Sequence, residues 1–202
     1  MAGDAGRVIA GTAAGRRLSA PGPGTRPLSD RVKQTLFAIL EPRLPGARFL
    51  DLCAGSGAAG IEALSRGAAF AQFVEQDGRT CKVIAENLAR TGLGGPNAVV
   101  VRAEAETWLT AALQAAAPPA GAPFDLVLLD PPYEQTALLG SLLATLAEPA
   151  GGALLGADAW VVAKHFWRDA PPPVIGLLRS TRERRFGETS LTFYRRAGTE
   201  DG

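Results

Sequence analysis

The chain has two cysteines and one histidine in 202 residues. Cys53 and Cys81 lie far apart and form no C-x-x-C pair, so the sequence indicates neither a disulfide scaffold nor a zinc site and fits a reducing compartment. Because His165 is the only imidazole, Ser–His or Cys–His nucleophilic catalysis has little material to work with. No metal site is expected. Long apolar runs are also missing: none approaches the roughly 18 residues of a membrane span. The opening residues, MAGDAGR, lack the apolar centre of a secretory signal. The expectation is a soluble cytoplasmic protein with no membrane partner. What the chain does have is 47% hydrophobic and 20% charged residues, enough for one sizeable core.

A net charge of +1 hides an uneven distribution. Residues 1–48 carry eight Arg/Lys against three Asp/Glu, residues 49–159 five against twelve, and residues 160–202 eight against five. Basic ends around an acidic middle suggest flanks that meet a polyanion on either side of a site whose own ligand is not one. Solvated surface arginine is the plainer alternative.

From Phe49 onward, apolar runs of strand length alternate with segments of helical period, which predicts a parallel sheet covered by helices. The strand candidates are RFLDLC, AFAQFVE, NAVVVRA, FDLVLLD and AWVVAKHF. Helices are predicted over Ala58–Arg66, Gly78–Thr91, Glu104–Ala116 and Thr136–Ala147, with Gly92 closing the second of these. SLTFYRR alternates as a half-buried strand that pairs antiparallel. Before Phe49, a Gly/Pro/Arg-rich stretch predicts a short hairpin and an extended linker. Ser29 then caps a helix with Val32, Leu36, Phe37 and Leu40 on one face and Arg31 and Lys33 away from it. The expected domains are a basic N-terminal extension (1–45), an α/β domain (46–197) and a tail (198–202).

FLDLCAGSGAAG places glycines at 55, 57 and 60 between a strand and a helix, with Glu75 ending the next strand twenty residues after Gly55. Glycines let the backbone turn tightly and approach a ligand, and the acid accepts hydrogen bonds from ribose hydroxyls. The loop therefore indicates an adenosine-containing cofactor without saying which. Asp51, inside the strand, favours one with a cationic amino group and would be unwelcome beside a pyrophosphate.

FDLVLLDPPYE ends a buried strand in an acid, two prolines and a tyrosine. In such sheets ligands collect beyond the carboxyl ends of the strands. Pro131 and Pro132 fix φ, hold Asp130 extended and leave loop carbonyls without local N–H partners. The resulting rigid cluster of acceptors suits the –NH₂ of a nucleobase, with Tyr133 lying against the ring. Acceptors around that nitrogen favour the pyramidal form that attacks a methyl group and stabilise its growing charge.

LDLCAGSGAAGIEALSRGA, FVEQD and LLDPPY together resemble the class I S-adenosylmethionine-dependent amino-methyltransferases. RVIAGTAAGRRL, RPLSDRVKQTLFAIL and the terminal GETSLTFYRR resemble, more narrowly, the 16S ribosomal RNA guanine-966 N2 methyltransferases, over residues 7–196 or so. The resemblance implies a Rossmann-like fold, α/β with a seven-stranded, mostly parallel sheet and an antiparallel last strand. It implies S-adenosylmethionine as cofactor, with Asp51, Ala54, Gly55, Ser56 and Gly57 at its methionine end, Glu75 at its ribose, and Glu104 and Ala105 at its adenine. Asp130, Pro131, Pro132 and Tyr133 match the family's catalytic loop. The implied partner is 16S rRNA in an assembling small subunit, met by a monomer through Arg7, Arg16, Arg17, Arg26, Arg31 and Lys33, with Arg184 and Arg185 on the opposite flank. Three positions depart from the family: Cys53 for an aromatic residue, Ala38 for a small polar one, and Ala163–Lys164 where an acid is usual, so no catalytic role is assigned there.

Other readings of the same residues are an adenine-N6 methyltransferase of DNA, a nicotinamide oxidoreductase, and a non-catalytic RNA-binding assembly factor. His165 reads as structural. Trp108, Trp160 and Trp167 read as core or rim residues, with stacking on RNA the alternative.

Overall fold

The glycine- and arginine-rich start of the chain forms a short hairpin, β1 (Gly3–Arg7) antiparallel to β2 (Arg17–Ala20). Ser29 then caps α1 (Asp30–Leu40), its hydroxyl accepting the Val32 N–H at 3.4 Å. The helix ends in a 3₁₀ turn, Glu41–Arg43, that contains Pro42. These elements come from a computed structural model that describes residues 3–22 and 28–196. The chain forms two compact units, Met1–Glu104 and Ala105–Gly202.

In the first unit, β3 (Arg48–Leu52), α2 (Ala58–Ser65), β4 (Phe70–Glu75), α3 (Gly78–Thr91) and β5 (Ala98–Arg102) follow in that order. β3, β4 and β5 pair parallel, with Asp51 opposite Phe73 and Glu75 opposite Arg102. Phe49, Leu50, Leu52, Ala71 and Phe73 are buried on both sides of these strands, as parallel pairing between helices requires. α3 closes where predicted, on Gly92 in the left-handed conformation (φ 74°).

All eight residues of α2 are buried, including Glu62. The chain after β1 explains this: Ile9 and Ala10 donate their N–H groups to the Glu62 carboxylate at 2.7 and 3.0 Å, and Ala13 N–H reaches Ser65 Oγ at 3.0 Å. Arg66 supplies the counter-charge, its Nε 2.7 Å from Glu62. The segment 1–45 thus belongs to the same compact unit as the first three parallel strands.

The second unit contains α4 (Ala105–Gln114), β6 (Phe124–Leu129), α5 (Thr136–Ala147), β7 (Leu155–Phe166), β8 (Val174–Ile175), β9 (Leu178–Phe186) and β10 (Thr189–Arg196). β6 and β7 are parallel, and β10 lies antiparallel between β7 and β9. Being central, β10 is buried on both faces from Ser190 to Tyr194, where its alternation predicted a half-buried strand. Two of its polar side chains find partners: Thr192 Oγ1 lies 2.9 Å from His165 Nε2, and Tyr194 donates to Pro172 O at 2.9 Å, whereas the buried Ser190 hydroxyl has no hydrogen-bond partner among the described residues. Among the described residues the two units hold eight strands besides the hairpin, the extra one being the two-residue β8.

Candidate functional site

The glycine loop is built at the carboxyl ends of β3 and β4. After β3 the chain turns through Cys53 (φ 67°), Gly55 (φ 53°) and Gly57 (φ 75°), three left-handed residues in five. Cys53 adopts this conformation despite its Cβ, at a cost of about 1–3 kcal/mol that the surrounding loop must offset. Ala54 anchors the turn by donating to Val74 O at 3.0 Å, and Gly57 caps α2. The turn is locked to β4 by Glu75, which accepts the Gly55 N–H at 2.9 Å through one carboxylate oxygen and the Asp77 N–H at 2.9 Å through the other. Each oxygen keeps a second lone pair for a hydroxyl.

Asp51 is 2% exposed, and its Oδ2 accepts the Gly60 N–H at 3.1 Å, so one oxygen caps the third helical residue of α2. Gly60 itself permits a close approach of layers: a Cβ there would lie 2.3 Å from the Phe73 ring. A Cβ on Gly55 would meet nothing within 4 Å, so the loop backbone is approachable at that point. Ser56 is buried, and its carbonyl accepts from Asn87 Nδ2 at 2.9 Å. The same amide bonds Ser19 O at 2.9 Å while its Oδ1 accepts the Ser19 N–H at 2.9 Å, tying the glycine loop to β2. Sequence reasoning assigned no role to Asn87. Glu104 is exposed after β5, and Ala105 is the buried first residue of α4.

The DPPY loop follows β6. Asp130 and Tyr133 are partly exposed, Pro131 is buried and Pro132 is exposed. The Pro132 carbonyl accepts the Gln135 N–H at 2.9 Å, so this acceptor, expected to lack a local partner, instead closes a turn. Parallel pairing puts Leu129 opposite Ala163, and the next residue on β7, Lys164, forms an ion pair with Asp130. Burial pushes the Asp130 carboxyl above its ordinary range, and the Lys164 ammonium opposes that rise. The same ammonium sits 4.8 Å from the Tyr133 ring centroid. Tyr133 Oη and Thr189 Oγ1 are 2.5 Å apart. Lys164, to which sequence reasoning assigned no catalytic part, therefore bridges the acid and the ring of the DPPY loop. His165 is buried and structural, its Nδ1 2.8 Å from Phe166 O.

The predicted RNA-contacting residues divide. Arg7, Arg16, Arg17 and Arg31 are exposed, although Arg17 pairs with Asp4 at 2.5 Å and Arg7 lies 3.7 Å from Asp30. Lys33 is corrected: it is fully buried, its Nζ donating to Arg7 O, and desolvation drives its pKa down. Arg7, the last residue of β1, supplies that carbonyl on a side of α1 that the helical pattern read as open. Arg26 lies outside the described residues. Trp108 is core, 6.5 Å from Phe124, and Trp160 packs edge-on against Phe193 at 6.1 Å.

Comparison with known proteins bears directly on these features. The family model described as Conserved hypothetical protein 95 matches residues 6–195. The Ribosomal RNA small subunit methyltransferase D of Escherichia coli (strain K12) is 35% identical over 191 residues, covering 94% of this chain and 89% of that protein. The protein of the same name from Haemophilus influenzae is 38% identical over 129 residues, covering 63% of each chain. A solved structure of a hypothetical protein from Thermus thermophilus superposes with a TM-score of 0.74 at 35% identity, covering 93% of this chain and 97% of that one. With both the glycine loop and the DPPY loop inside the matched span, the chain belongs to the Conserved hypothetical protein 95 family, the family of the ribosomal RNA small subunit methyltransferase D proteins.

Proposed function

We propose that this protein transfers a methyl group from S-adenosylmethionine to the exocyclic N2 of a guanine in 16S ribosomal RNA. The observation that carries the reading is the DPPY loop with its acid held against Lys164 and its ring half-exposed beneath the same cation. Family membership supports it, because a relative spanning nearly the whole chain is named for methylation of small-subunit ribosomal RNA.

The residues fit the cofactor. Gly55 offers an approachable backbone, Glu75 retains acceptor capacity for the ribose, and Asp51 lies beneath the loop for the methionine end. Ala54, Ser56 and Gly57 complete the turn, and Glu104 and Ala105 are the residues assigned to the adenine by the resemblance. When bound, S-adenosylmethionine supplies an activated methyl on a sulfonium.

Asp130 and the Pro131 carbonyl accept the two N–H bonds of the guanine amine, which localises its lone pair on nitrogen. Tyr133 stacks on the base, with its hydroxyl anchored to Thr189 so that the ring keeps its orientation. Lys164 opposes the rise that burial imposes on the Asp130 carboxyl and so favours the carboxylate form that accepts hydrogen bonds. A guanine in folded RNA must leave its stack to be reached. The basic residues Arg7, Arg16, Arg17 and Arg31 supply phosphate contacts, in the cytoplasm and on an assembling subunit. A monomer suffices.

Incubating the purified protein with labelled S-adenosylmethionine and either 16S rRNA or DNA, then identifying the modified nucleoside, tests the reading. N2-methylguanine is expected. N6-methyladenine in DNA would replace the assignment with the adenine chemistry that the same loop can serve.

A further inference from the structure

Beside the DPPY loop, the second unit carries a run of aromatic side chains that the chemistry above does not use. The Phe166 ring lies 6.3 Å from Tyr133 and 6.2 Å from Trp167. Trp167, at the start of the turn after β7, is half-exposed and carries two guanidinium groups, Arg185 at 3.6 Å and Arg168 at 4.7 Å from its ring centroid. Arg185 is held in place by Nε donating to Gly187 O at 2.9 Å, and the Trp167 backbone N–H is held by Glu188 O at 3.0 Å. Both arginines are exposed, and among the described residues neither pairs with a carboxylate.

A single arginine over a tryptophan is an ordinary surface contact, worth about 0.5–1 kcal/mol. Two guanidinium groups on one ring with no counter-charge repel each other, and an anion between them relieves that repulsion. β9, the strand that carries Arg185, presents Arg179, Arg182 and Arg184 with Glu183 as its only acid, and all are exposed. Aromatic rings interleaved with arginine form the surface that takes single-stranded nucleic acid: bases stack on the rings and phosphates meet the guanidinium groups.

We infer that Phe166, Trp167, Arg168 and Arg185 form a docking subsite for the single-stranded RNA next to the target guanine. One flanking base stacks on Phe166 and Trp167, and its phosphates sit on Arg168 and Arg185. This rests on the reading that Tyr133 receives the target base, since the run of rings begins there. It gives the C-terminal basic flank a defined part in holding the extruded strand.

The test measures binding of a short single-stranded oligoribonucleotide with one central guanine, and of its duplex, to the full chain by fluorescence anisotropy across a salt series. Trp167→Ala is expected to weaken single-strand binding about tenfold or more, with Trp167→Phe retaining most of it. Arg168→Ala/Arg185→Ala, at exposed positions that leave folding intact, is expected to lower the salt slope by about 1.4, two phosphate contacts at about 0.7 each. Duplex binding should change less than single-strand binding. Unchanged affinity and salt slope in the double arginine variant overturns the inference, as does an equal loss for single strand and duplex. Asp130→Ala separates the two readings: it should abolish methylation, while Trp167→Ala and the double arginine change, made in that background, still lower single-strand binding and the salt slope by the same factors. A wild-type protein that makes no methylguanine, yet shows the Trp167 effect, would sink the catalytic reading alone.

Discussion

At the scale of single residues, the ion pair between Lys164 and Asp130 has the clearest consequences. Burial holds the Asp130 carboxyl above its ordinary range, so the folded protein binds this proton more tightly than the unfolded chain. Its contribution to stability is therefore present in acid and is lost as pH rises from the ordinary carboxylate range through the folded value. Lys164→Met removes the opposing cation and raises that value further. Thermal denaturation of this variant should show a larger loss of stability with rising pH, and kcat/KM should reach its plateau at higher pH. At neutral pH the fall in kcat is expected to be about tenfold to a hundredfold, with Lys164→Arg recovering a large part. An unchanged pH profile would show that Lys164 does not act through Asp130. Neither this pair nor the burial of Lys33 was legible in the sequence. The first depends on Leu129 pairing with Ala163 across strands separated by a whole helix, and the second on the end of β1 meeting α1.

At the scale of elements, α2 packs against β3, β4 and α1 and is tied to the chain that follows β1. Glu62 holds Ile9, Ala10 and Arg66, so Glu62→Ala removes the anion from a buried network and is expected to cost about 3–5 kcal/mol in denaturant unfolding. Asn87 makes three hydrogen bonds, two to Ser19 and one to Ser56. Asn87→Ala should cost about 1–3 kcal/mol and also weaken S-adenosylmethionine binding in calorimetry, because it releases the glycine loop. Gly60→Ala places a methyl against the Phe73 ring and should destabilise by about 1–3 kcal/mol, with partial relief from Phe73→Leu. α3 and α5 were legible to the residue because their apolar periods are regular and, in α3, a glycine marks the end. β9 was not among the predicted strands: its run LRSTRERRF is too charged to show an apolar alternation, and its pairing with β10 defines it.

At the scale of the whole molecule, the sequence disclosed the two loops to which the proposed function is assigned because their backbones demand residues that cannot be disguised. Left-handed turns are written in glycine and rigid acceptors in proline. The basic flanks were visible as charge counts, yet counts do not tell a buried lysine from a phosphate contact, nor single out Trp167 from Trp108 and Trp160. Methylation of 16S rRNA from cells lacking this chain, by the purified protein and by its Asp130→Ala variant, tests the central claim most directly, with the product nucleoside identified by mass spectrometry. N2-methylguanine from the wild type and none from the variant is the predicted result. Equal N2-methylguanine from both, or a different methylated nucleoside, would contradict it.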